Sequence, residues 1–135
     1  MEEMTLRVPV TIKARLTPDL KEKLTAEINE ALKNVQTDLQ QLEFQARRMI
    51  DEQAKVDVTA LPQLNANIEA ERIKMLNFKQ DAEARMERLN QLEIGTEIVQ
   101  GNLDRTLTVK IGDDLHKLMG AEILLEDGKI TAFRM

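Results

Sequence analysis

His116 is the chain's single histidine, and it stands two residues after Gly112-Asp113-Asp114. A carboxylate beside an imidazole can orient it as a general base, and the three side chains together could begin a metal site. Neither chemistry is completed by the rest of the sequence. There is no cysteine and no second histidine, so a metal would find no further imidazole or thiolate ligand. The bland reading therefore leads: His116 is a surface residue after a turn, with Asp114 capping a short helix. Serine is absent, which removes a serine triad, and the five glycines stand singly rather than in a phosphate-cradling loop. Gly112-Asp113-Asp114 and Glu126-Asp127-Gly128 offer carboxylates without the oxygen spacing of a calcium loop. The expectation is a non-enzymatic chain with no catalytic residue, metal or cofactor. A small-ligand enzyme built on His116 is the contrasting case.

The charged residues point the same way. Lys and Arg number 19 against 24 Asp and Glu, a net charge of −5, and they form no tract. Phosphate neutralisation needs clustered cations, so direct nucleic-acid binding is not expected. Arg47-Arg48 and the trio Arg7, Lys13 and Arg15 read as solvated faces. Three Phe are the only aromatics, which leaves no stacking platform for single-stranded RNA. The acidic start has no apolar signal-peptide core, and no apolar run approaches the ~20 residues that span a bilayer. A cytoplasmic protein without a membrane segment is expected.

The elements that position these residues follow from hydrophobic periods. Leu6, Val8, Val10, Ile12, Ala14 and Leu16 alternate with polar residues, a half-buried strand whose wet face carries the positive charge. Pro9 cannot donate to a ladder, so its part of the strand lies at an edge or beside a bulge. Thr17-Pro18-Asp19 is a helix start: a capping hydroxyl, a proline suited to the first helical position and an acid at the positive dipole end. Ile28, Leu32, Val35, Leu39, Leu42, Ala46 and Met49 then step by four and three, a coiled-coil seam.

Val56–Pro62 reverses the chain, and a second helix carries Leu61, Leu64, Ile68, Met75, Phe78, Ala82, Leu89 and Leu92 on one stripe. Glu71 and Arg85 fall at core-type positions of that stripe. They are roughly 21 Å apart along one helix, too far to pair within a chain. They either fix register between copies or stay wet where the helices diverge. Ile73 and Leu76 lie off the stripe and Met86 flanks it beside Arg85. Ile73, Leu76, Arg85 and Met86 are thus the candidate contacts for a second copy or a partner.

After Ile94-Gly95 the period returns to two. Thr96–Gln100 and Arg105–Ile111 read as strands around a Gly101-Asn102 turn. Asp114–Met119 reads as one helical turn, and Ala121–Glu126 and Lys129–Arg134 as a hairpin closed by Asp127-Gly128. With the first strand this makes about five strands. The fold class is α+β: an antiparallel two-helix coiled-coil hairpin on a small β-sheet or barrel base built from both termini. The 135 residues form a single structural unit, with the base at 5–16 and 95–134 and the stalk at 17–53 and 61–93.

The strand Leu6–Leu16 running into a long charged helix resembles the YlqD-like family of bacterial proteins of unknown function. Leu92-Glu93-Ile94-Gly95-Thr96-Glu97-Ile98, Val109-Lys110-Ile111-Gly112-Asp113-Asp114 and Glu126-Asp127-Gly128-Lys129-Ile130 carry the likeness over nearly the whole chain. That resemblance brings no catalytic residue with it. It implies, by gene neighbourhood, an association with ribosome maturation and RNA-binding factors. The expected function is an interaction or scaffold protein, accessory to ribosome or RNA metabolism, acting through its stalk and through self-association as a dimer. The alternative is a prefoldin-like holdase that grips clients with apolar stalk surface. It rests on fold analogy alone, and the strands here lie outside the helices rather than between them.

Overall fold

A computed structural model describes residues 2–135. The elements run β1 (Glu3–Arg15), α1 (Pro18–Val56), a single 3-10 turn (Val58–Ala60), α2 (Leu61–Gln91), β2 (Glu97–Lys110), α3 (Leu115–Leu118), β3 (Glu122–Glu126) and β4 (Lys129–Arg134). The fold is α+β, with two long helices and one four-stranded mixed sheet drawn from both ends of the sequence. The chain divides into two compact units. One runs to Glu22 and resumes at Leu92–Met135, and the other is Lys23–Gln91.

In the first unit the strand order is β2-β1-β3-β4. β1 pairs antiparallel with β2 along its whole length, while β3 joins its other side in parallel over Thr11–Ala14 only. The alternating face of β1 goes inward as its period demands: Val8, Val10, Ala14 and Leu16 are buried, Leu16 completely. Pro9 fits because of which way its nitrogen points. Thr11 donates its N–H to Ala121 O at 3.0 Å on the β3 side, and Pro9, two residues earlier, faces the same side where β3 has not begun. Its missing N–H therefore leaves no partner unmatched.

The region read as two strands around a Gly101-Asn102 turn is one strand. The register against β1 shifts between Ile12 and Lys13, opposite Gly101 and Val99, so the extra residue is absorbed as a bulge. The Asp127-Gly128 signal does make the β3–β4 turn. Asp127 has φ 49° and Gly128 φ 82°, the left-handed pair that a two-residue hairpin loop needs.

Thr17 ties this unit together. Its Oγ1 accepts from Leu20 N–H at 3.1 Å, the expected cap of α1, and donates to Asp127 Oδ1 at 2.5 Å. Leu16 exchanges backbone hydrogen bonds with Gly95 and Thr96, at 2.7 and 2.8 Å, and the Lys21 ammonium donates to Leu92 O. Arg105, opposite Val8 on the apolar face, donates to Leu118 O at 3.0 Å and so holds α3 across that face.

The second unit is the helix pair. α1 is 39 residues long and α2 is 31, and the connection between them is only Asp57–Ala60. Asp57 organises it by accepting from the Thr59 hydroxyl and N–H, and those bonds hold its carboxyl below the usual carboxylate range. Such a short reversal makes the helices antiparallel neighbours, and Arg72 Nε meets Glu43 Oε1 across them at 2.7 Å.

Candidate functional site

The helix pair buries a stripe of each partner, and that stripe decides which side chains remain outside. On α1 the seam is seated by Ile28, Leu32, Val35, Leu39, Leu42 and Ala46, as the heptads predict. It then steps four residues to Ile50 and on to Gln53, and Met49 is left 47% exposed. On α2 it begins as predicted at Leu61, Leu64 and Ile68. It then also takes a second step of four, to Arg72, and continues through Met75, Lys79, Ala82, Met86 and Leu89. Two consecutive steps of four are a stutter, which locally unwinds a left-handed supercoil. The two stutters face each other at the height of Ala46 and Ile68, beside the Glu43–Arg72 ion pair.

This shift corrects several expectations. Glu71 and Arg85 are exposed, as the wet reading held, because the face turns away from them. Phe78, expected in the seam, is 48% exposed, and Met86, expected beside the seam, is half-buried within it. The seats are filled instead by Arg72 and Lys79, whose aliphatic stems cover apolar surface while their charges reach Glu43, Glu69 and Glu83. Glu43 is held below the usual carboxylate range by the Arg72 hydrogen bond, and Arg72 is correspondingly raised by Glu43.

Ile73 and Leu76 stand one residue past the seats Arg72 and Met75, and both are about half exposed. Phe44 stands two residues past the seat Leu42 and is 64% exposed. Because the helices run in opposite directions, they also rotate in opposite senses seen from one end. One residue past a seat therefore turns both helices toward the same side of the pair. Ile73 and Leu76 thus turn to one side of the pair, whereas Phe44, two residues past Leu42 and two before Ala46, stands on the outer side of α1. On the side of Ile73 and Leu76, Gln36, Gln40 and Gln80 are exposed, together with the charged Lys33, Arg47, Glu69 and Glu83. Arg85 lies on the opposite face with Phe78. Of the four candidate contacts, then, Ile73 and Leu76 come together, Met86 is in the seam and Arg85 is elsewhere. Phe44 was missed as a surface residue because it sits between the seam residues Leu42 and Ala46 without belonging to their stripe.

The other candidate chemistry resolves into local structure. Asp114 Oδ1 accepts from His116 N–H at 3.0 Å as the cap of α3, and Asp113 Oδ2 accepts from Lys110 N–H at 2.8 Å. Both carboxylates thus serve backbone groups rather than the imidazole. Among the described residues no three His, Cys, Asp or Glu side chains are grouped to hold a metal ion. Among the described residues no helix is long and apolar enough to cross a membrane.

Comparison with known proteins is decisive on kinship. The model of the YlqD protein family matches residues 4–134. The chain belongs to the YlqD family. A relative in it is the uncharacterized protein YlqD of Bacillus subtilis (strain 168), 30% identical over 128 residues that cover 93% of this chain and 94% of the relative. A crystal structure of a protein of unknown function from Synechococcus sp. WH 8102 shares the fold, with a TM-score of 0.84 over 98% of this chain and 95% of that one, at 24% identity.

Proposed function

We propose that this YlqD-family protein is a non-catalytic interaction or scaffold protein of the cytoplasm, which works by presenting one face of its helix pair to other polypeptides. The carrying observation is the exposed pair Ile73 and Leu76, off the seam on one side of the helix pair. Large apolar residues left exposed beside a buried seam commonly mark a surface that another polypeptide covers. The setting expected from the family resemblance is ribosome or RNA metabolism.

The test is affinity capture from cells with the wild type and an Ile73→Asp/Leu76→Asp variant, with bound proteins identified by mass spectrometry. Ribosomal or RNA-processing proteins captured by the wild type and lost from the variant support the reading. Capture that is indifferent to the face overturns it. A holdase would instead suppress aggregation of unfolded clients in vitro through the same side chains, and that assay separates the two.

A further inference from the structure

We infer that the sheet unit binds a small organic acid with an apolar body, its carboxylate held by Arg105 and its chain laid on the sheet. The site is separate from the helix surface proposed above and does not rest on it. Strand pairing builds it. Val8 lies opposite Arg105 and Val10 opposite Leu103, while Ile12 lies opposite Ile123, which in turn lies opposite Phe133. Residues opposite one another share a face, and the face alternates along each strand. Val10, Leu103, Arg105, Ile123, Phe133 and Met135 therefore fall on one face, and all six line a cavity of about 290 Å³ at the start of β3. That size is at the lower end for small-molecule pockets. Leu103, Phe133 and Met135 are each more than half exposed, so the walls are apolar and wet.

The charge on this face is unmatched. Asp104, Glu122 and Arg134 also border the cavity, but their side chains alternate to the opposite face, where Glu122 pairs with Lys13 and Arg134 with Glu97. Among the residues lining the cavity, Arg105 is left as the only charged side chain on its face. Its Nη2 donates to Leu118 O at 3.0 Å, and its Nη1 has only the Met135 thioether at 3.7 Å. Its Nε–H is cut off from solvent and has no acceptor. A thioether is a weak acceptor, and a buried donor left unpaired is costly. A carboxylate in the cavity takes the place of the thioether and gives the guanidinium the two-oxygen partner that its planar fork matches. One cation between apolar walls fits a monoanion. A phosphate ester brings further charge that nothing on this face meets, and a neutral chain leaves the guanidinium as it is.

Sodium decanoate is the probe, titrated into the isotopically labelled full chain at neutral pH and followed by NMR. Saturable shifts are expected in the amides of residues 103–105, 121–123 and 133–135, with one site per chain by calorimetry. Arg105→Met keeps the apolar stem and removes the charge. It should weaken decanoate by about 10–100-fold, as loss of a hydrogen bond to a charged group does, and leave the weaker binding of decanol unchanged. Phe133→Asp, at a 72% exposed position away from α3, should weaken both ligands. Decanol bound as tightly as decanoate, no saturation at millimolar decanoate, or shifts centred on Ile73 and Leu76 overturn the site. Cellular capture through Ile73 and Leu76 is measured independently, so either reading can fail alone.

Discussion

The Thr17 hydroxyl is both acceptor and donor, holding the first turn of α1 with one bond and the β3–β4 turn with the other. Thr17→Val keeps the shape and removes both bonds, leaving the Asp127 carboxylate without its donor. The variant should lose about 1–2 kcal/mol in chemical denaturation. The carboxylates predict an acid-side response as well. Glu43, Asp57 and Glu97 are each held below the usual carboxylate range, by Arg72, Thr59 and Arg134 respectively. A group whose native pKa is depressed stabilises the fold above its unfolded value, near ~4.3 for glutamate, and that stability is lost as pH falls through the native value. The melting temperature should therefore fall on acidification below about pH 4.3. The fall should be shallower in a Glu43→Gln/Glu97→Gln variant, whose loss is already taken at neutral pH. An equally steep fall in both proteins would contradict the assignment.

Among the elements, those with one dominant period were legible in the sequence. β1 alternates through six apolar residues, α1 starts at a threonine cap followed by proline, and Asp127-Gly128 closes a hairpin because both φ values are positive. What escaped has a physical cause in each case. Gly101-Asn102 has turn chemistry, yet continuous pairing with β1 absorbs the irregularity as a bulge, and pairing partners are invisible to a local pattern. The α2 seam passes through Arg72 and Lys79, which a pattern of apolar residues scores as outside although their stems seat inside. The candidate surface was legible, since Ile73 and Leu76 are apolar residues off any stripe. Phe44, on the outer side of α1 between Leu42 and Ala46, escaped because it breaks no seam position. The shifted seam makes a direct prediction. Met86→Ala should cost about 1–2 kcal/mol, less than a fully buried methionine would, whereas Arg85→Ala should stay within about 0.5 kcal/mol. Urea denaturation giving the reverse order would restore the unshifted heptad.

On the scale of the whole molecule, the family match along residues 4–134 spans both the sheet unit and the helix unit. Each unit carries out a different physical task. The sheet unit joins both ends of the sequence through strand pairing and the Thr17 contacts, and the helix unit leaves Ile73 and Leu76 in water. Exposed apolar surface of this kind costs solubility unless it is covered in the working protein. Coverage of the side that carries Ile73 and Leu76 is therefore the property on which the proposed function stands. A photo-crosslinking amino acid placed at position 76, with position 78 on the opposite side of α2 as control, measures this in living cells. A discrete protein adduct is expected from position 76, either of twice the chain's mass or with a partner, and little from position 78. Equal yields from both positions, or none from 76, would contradict it.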